Sequence, residues 1–395
     1  MMNNNISING FFSCACKSGL KNNDYDLAII KSSPPSVVSA LYTTNKFQAA
    51  PVKFSKKNSN QKIELLIVNS QIANALTGKD GDNDVLDIAK KATEVFKCKK
   101  SNILMASTGI IGKRIDTEKV KKSLENATLN NDFNNIVKAI KMRDRFDKTY
   151  ITKLKVDKKI ANFYAIAKGT STVHPNMATA LLFIFTDLNI DKKSLDKAFK
   201  ESIQKTLNRI SIDAETSTND TAIIMANGTC GNNIITENNK TIFKQLKNKL
   251  DEICTTLAKM IVLDGEGKNK TIIVSVARSK TKQEAFEIAK KFATSSLVKI
   301  LFASENIRYK KLLVVIGNSN ININNFSLSI NNINIFSNGE LNTNENELSK
   351  ITSVFNNKRE YFINIDCGYN TKHEDYYCFT EMSREYIEVI SSYDI

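Results

Sequence analysis

The chain has 395 residues, room for two or three domains at roughly 150 residues each or for one large one, and 42% of them are hydrophobic against 25% charged. That balance excludes a disordered or fibrous chain, and the longest apolar run, residues 180–185, falls far short of the ~20 residues that span a bilayer. Lys and Arg number 56 against 41 Asp and Glu, a net charge of +15, yet the lysines fall as short pairs and triplets with no aromatic stripe among them. A basic, solvated surface is therefore expected, and neither nucleic acid nor membrane is an expected partner.

In chain order, residues 1–10 are Asn-rich and lack the basic flank, apolar stretch and cleavage site of a signal peptide, which predicts a cytoplasmic protein. The seven cysteines (Cys14, Cys16, Cys98, Cys230, Cys254, Cys367, Cys378) are an odd number without CxxC spacing, so free thiols and no metal site are expected. Apolar spacing predicts helices over 84–96, 194–207, 242–261 and 283–297. Short β-branched or apolar runs predict strands over 63–68, 102–106, 163–167, 180–185, 271–277 and 312–316. The alternation gives a mixed α/β fold with no repeat and no flexible linker.

Glycine and proline are scarce, 14 and 4, so their positions carry information. Nine glycines fall in five short segments: Gly78 and Gly81, Gly109 and Gly112, Gly169, Gly228 and Gly231, Gly265 and Gly267. After Pro51 the only proline is Pro175. Such residues mark loops where positive φ or close backbone approach is required. No GxxxxGK[ST] or GxGxxG pattern occurs, so a nucleotide cofactor is not indicated.

The densest constellation is KGTSTVHPNMATALLFIFTD, residues 168–187. A strand ending near Ala167 runs into a loop containing Gly169 and Pro175, and a second buried strand is expected from Thr179. A hydroxyl set between a rigid turn and a buried strand can be held as a nucleophile. Read from these residues alone the signal is weak, and Thr179 as an ordinary strand threonine is the expected reading.

This segment resembles the KGSGMIAPNMATML block of the ornithine acetyltransferases, the bifunctional glutamate N-acetyltransferases. SALYTTNKFQAAPV (39–52), NSQIANALTG (69–78), STGIIG (107–112), DAETSTNDT (213–221) and DGEGKNK (264–270) are similar to further family blocks, in the same order. The resemblance implies the family's self-processing acyltransferase fold. The chain would cut itself between Ala178 and Thr179, giving an α chain of 1–178 and a β chain of 179–395, with 295–395 as a smaller C-terminal lobe. Thr179 would carry the acetyl group taken from N-acetylornithine and pass it to glutamate, in arginine biosynthesis. By the same likeness Thr108 and Gly109 form the oxyanion hole, Lys168 and Glu266 bind substrate, and the assembly is a heterotetramer of two α and two β chains. No cofactor is implied.

His174 lies close to Thr179 but stands where the family has Ala, and reads as a loop residue. DAETSTNDT is rich in short polar groups that line a site or cap a following helix. Gly265 and Gly267 predict a tight turn presenting Glu266. Three departures concern substrate recognition: Met142 heads MRDR where the family has TTDT, and Ile390 and Ile395 replace polar residues at the carboxyl end. The usual NWGR block reads Ile307-Arg308-Tyr309-Lys310. These predict self-cleavage with altered substrate preference, because polar sites discriminate through bonds that apolar groups cannot make. A Thr-nucleophile amidase or aminopeptidase, and a non-catalytic basic binding protein of the same fold, are the alternatives.

Overall fold

The computed structural model describes residues 7–174, 180–304, 308–319, 321, 325–342, 344, 346 and 359–392. Ahead of residue 175 come β1 (Phe11–Cys16), β2 (Leu27–Tyr42), α1 (Ala50–Asn58), β3 (Ile63–Asn69), α2 (Gly78–Phe96), β4 (Ile103–Ser107), α3 (Thr117–Glu125), α4 (Ile136–Ile140), β5 (Lys148–Val156) and β6 (Lys159–Lys168). After residue 179 come β7 (Leu181–Thr186), α5 (Lys192–Lys205), β8 (Ile210–Ser211), β9 (Thr221–Ala226), α6 (Lys240–Leu263), β10 (Thr271–Ala277), α7 (Lys282–Thr294) and α8 (Ser296–Ala303). The chain continues through α9 (Leu312–Gly317), β11 (Ser327–Ile330), β12 (Ile333–Ser337), β13 (Glu340–Leu341), β14 (Glu360–Asp366), β15 (Asp375–Thr380) and α10 (Arg384–Ser391).

The first sheet runs β4-β3-β2-β9-β7-β6-β5, with β1 on β2. β7 pairs antiparallel with β6, Phe163 opposite Thr186, and parallel with β9, Leu181 opposite Thr221. Every residue of β7 and β9 is buried, as their unbroken apolar runs require of strands covered on both faces. The period of two then sorts the side chains. Leu182 and Ile184 join Phe199, Ile253 and Leu257 of α5 and α6, while Leu181, Phe183 and Phe185 join Phe133, Ile140 and Tyr164 on the other face. Each such side chain contributes about 1.5–3 kcal/mol by leaving water. α5 is started by Asp191, whose carboxylate accepts from the Ser194 N–H at 3.0 Å.

The second sheet, β13-β12-β11-β14-β10-β15-β8, draws only on residues after 209. It has a core of its own, including Val274, Ile288, Phe292, Phe302, Tyr361, Ile363 and Phe379.

Two expectations are corrected here. The run 312–316 is helix α9, not a strand: Leu312, Val315 and Ile316 are buried while Val314 is 60% exposed, the i, i+3, i+4 spacing of a helix. The single helix expected over 283–297 is two, because the Ser295 hydroxyl accepts from the Val298 N–H at 3.3 Å and starts α8 afresh.

Candidate active site

β3 and β4 run parallel and end side by side at Asn69 and Ser107, so the NSQIA and STGII loops leave the sheet from one edge. The Ser107 hydroxyl donates to Asn69 Oδ1 at 2.5 Å, the Thr108 N–H to the Asn69 carbonyl at 3.0 Å, and the Ile110 N–H to the Gln71 carbonyl at 2.9 Å. Gly109 has φ +137°, and a Cβ there would stand 2.0 Å from the Gln71 carbonyl carbon. Only glycine lets these loops approach so closely.

DAETSTNDT closes onto this edge. The Asn219 amide donates to the Ala73 carbonyl at 2.7 Å and the Ser107 carbonyl at 2.9 Å. Its neighbour Asp220 accepts the Ala180 N–H on Oδ1 at 2.7 Å, and the Thr221 N–H donates to the Ala180 carbonyl at 3.0 Å. Asp220 Oδ2 is buried and has no hydrogen-bond partner among the described residues. Burial pushes the Asp220 carboxyl well above the ordinary carboxylate range, against the pull of the Ala180 N–H and the Lys168 ammonium. Ala178 and Thr179 lie outside the described residues. The segment does not cap a helix, as one expectation had it; strand β9 follows.

Lys168 closes β6 opposite Leu181. Burial pushes its ammonium below the ordinary lysine range and Lys148 adds to that, while Asp144, Glu266 and Asp220 pull it back. Asp144 accepts the Gly169 N–H at 3.1 Å and the Lys148 ammonium at 2.5 Å. Burial pushes the Asp144 carboxyl up, but the Lys168 and Lys148 ammoniums and these hydrogen bonds outweigh it and hold it below the usual range. Lys148 also pairs with Asp264, which accepts Arg145 Nε–H at 2.9 Å.

Glu266 sits in the expected turn, with the Lys268 N–H donating to the Gly265 carbonyl at 3.1 Å. Its own N–H donates to the Thr170 carbonyl at 2.9 Å, and the Thr170 hydroxyl donates to Glu266 Oε1 at 3.2 Å. Arg143 Nη1 lies 3.4 Å from both Glu266 oxygens. Met142 Sδ accepts the Gln71 N–H at 3.1 Å, so the MRDR segment touches both the Gln71 loop, against which Gly109 packs, and the Glu266 turn. Thr108, Gly109, Lys168 and Glu266 are thus linked through Asn219, Asp220 and residues 142–144. Ile390, 38% exposed, lies on α10, whose first turn packs so closely that a Cβ on Gly267 would stand 2.4 Å from the Tyr386 N. Ile395 and Ile307 lie outside the described residues.

His174 is a buried loop residue. Its ring stacks on Tyr377 with centroids 6.1 Å apart, its carbonyl accepts the Thr216 hydroxyl at 2.8 Å, and burial, with Lys290 and Lys299, pushes its pKa down to about 4. Arg143, Asp144, Asp213, Asn219, Asp220 and Tyr386 were not singled out from the sequence. Asp213 accepts the Val173 N–H at 2.9 Å and the Tyr386 hydroxyl at 3.0 Å, which ties the loop after Lys168 to α10. The crowding of short polar residues in DAETSTNDT and the departure of MRDR from TTDT were the available signals. Among the described residues no group of three His, Cys, Asp or Glu is arranged to hold a metal, and no helix is long and apolar enough to cross a membrane.

A backbone N–H in a glycine turn can receive a developing oxyanion, and a lysine with a glutamate can hold the two ends of a zwitterion. The ArgJ family model matches residues 13–394. The "Arginine biosynthesis bifunctional protein ArgJ" of Caldanaerobacter subterraneus subsp. tengcongensis is 38% identical over 314 residues, 78% of each chain. The mitochondrial protein of that name from Dictyostelium discoideum is 36% identical over 316 residues, 78% of this chain and 71% of its own. The crystal structure of the Bacillus halodurans argJ protein matches at 30% identity and a TM-score of 0.42, covering 43% of this chain and 92% of its own. With nearly its whole length matched, the chain belongs to the ArgJ family.

Proposed function

We propose that this chain is a cytoplasmic N-acetyltransferase of arginine biosynthesis that cuts itself between Ala178 and Thr179 and moves acetyl from N-acetylornithine to glutamate through acetyl-Thr179. In the cut, the Thr179 hydroxyl attacks the Ala178 carbonyl, the acyl group passes from nitrogen to oxygen, and water releases two chains, 1–178 and 179–395. The liberated α-amine, with an ordinary pKa near ~7.7–8.0, accepts the proton of its own hydroxyl at neutral pH. That oxygen attacks the acetyl carbonyl. Thr108 and Gly109 receive the oxyanion, ornithine departs with the proton, and the amine of glutamate repeats the attack in reverse. Lys168 and Glu266 hold the amino acid in both halves. The working assembly is two α and two β chains.

One observation carries this reading: the dipeptide Asn219-Asp220 grips the Ser107 carbonyl, just ahead of Thr108 and Gly109, and the N–H of Ala180, just after Thr179. The same dipeptide supports both the acceptor loop and the start of the second chain. The test is transfer of labelled acetyl from N-acetylornithine. Label on glutamate, lost in Thr179→Ala, is expected; release of free acetate alone would make the protein an amidase instead.

A further inference from the structure

The resemblance places TTDT, short and polar, where this chain has Met142-Arg143-Asp144-Arg145. The Met142 thioether is occupied by the Gln71 N–H. Arg143 turns its guanidinium onto Glu266, 3.4 Å from both carboxylate oxygens, and is the more exposed partner, 21% against 7%. An incoming ligand therefore meets the cation ahead of the carboxylate. The surrounding charges point the same way. Lys148 is buried between Asp144 and Asp264, and Arg145 is bound to Asp264, so the carboxylates beside Arg143 other than Glu266 already hold cations of their own. With the α-ammonium on Glu266 in either ligand, the Arg143 guanidinium beside it repels a side-chain ammonium and attracts a side-chain carboxylate.

Resting on the acyl-transfer reading above, we propose that Arg143 is a specificity-determining residue that sets this site for amino acids with a carboxylate side chain and against those with an ammonium side chain. In the exchange, glutamate is then the well-bound acceptor and N-acetylornithine the weakly bound donor, and N-acyl derivatives of acidic amino acids are the better donors.

The test is calorimetric titration of the purified protein with glutamate and with ornithine, in wild type, Arg143→Met, Arg143→Gln and Arg143→Lys. Wild type is expected to bind glutamate at least tenfold more tightly than ornithine. Arg143→Met and Arg143→Gln are expected to move that ratio at least tenfold towards ornithine, and Arg143→Lys to keep the acidic preference. A ratio within twofold of wild type in whichever neutral variant folds would overturn the proposal. Turnover of N-acetylornithine against N-acetylglutamate is measured beside it. If neither donor acetylates Thr179 the acyl-transfer reading fails, while the binding ratios still decide the role of Arg143.

Discussion

At Gly109 a single methyl group would stand 2.0 Å from the Gln71 carbonyl carbon on a backbone held at φ +137°. Gly109→Ala must therefore part the two loops and move the proposed oxyanion donor. Losing such a donor costs about 3–4 kcal/mol in the barrier, so acetyl transfer is expected to fall at least about a hundredfold. Asp220 makes a different contribution. Asp220→Asn keeps an acceptor for the Ala180 N–H and is expected to unfold in urea close to wild type, whereas Asp220→Ala leaves that N–H unmet and is expected to lose about 1–2 kcal/mol. The glycine positions were legible in the sequence because glycine is scarce and its conformational freedom marks close approach. Asp220 was not, because its weight comes from burial against a strand start forty positions away, and no spacing rule sees that. The Arg143–Glu266 pair was hidden for the same reason, since 123 residues separate its members.

Among the elements, the long amphipathic helices and apolar strands were legible from their periods, and the failures have separate causes. Five apolar residues at 312–316 suit a strand or a buried helix equally, and neighbouring packing chose the helix. β2 was unread because Pro34 and Pro35 interrupt it, and proline normally breaks a strand. Here they fall where the strand changes partner, leaving β3 for β9. α8 carries Lys299, 1% exposed, whose ammonium donates to the Ile212 carbonyl at 3.0 Å and the Thr380 carbonyl at 2.9 Å. Burial, with Lys268 adding, pushes its pKa from 10.5 down to about 7, against Asp213 and Glu381. Between those two values the unfolded chain holds the proton and the folded chain does not, so stability rises with pH across this window and is lost as pH falls towards 7. The slope from this group is at most about 1.4 kcal/mol per pH unit. Urea unfolding at pH 7, 8 and 9 is expected to show that rise in wild type and a flatter profile in Lys299→Met; parallel profiles would contradict it.

For the molecule as a whole, the first sheet interleaves the two sides of residues 175–179. β7 and β9 lie between β2 and β6, so both ladders, β2 with β9 and β6 with β7, join residues before 175 to residues after 179. A cut at Ala178–Thr179 would leave every strand pairing of that sheet intact. The two chains are accordingly expected to migrate together in native gel filtration and to separate only in denaturant. The second sheet and its core lie wholly after residue 209, so they are untouched by the cut.

The most direct measurement is intact mass under denaturing conditions, for wild type and Thr179→Ala, after incubation with N-acetylornithine or N-acetylglutamate. Wild type should yield two chains that begin at Met1 and Thr179, the second also present with one added acetyl group on Thr179, and the variant a single chain of 44.2 kDa without it. An uncut wild-type chain, or an acetyl group carried on any other residue, would contradict the account.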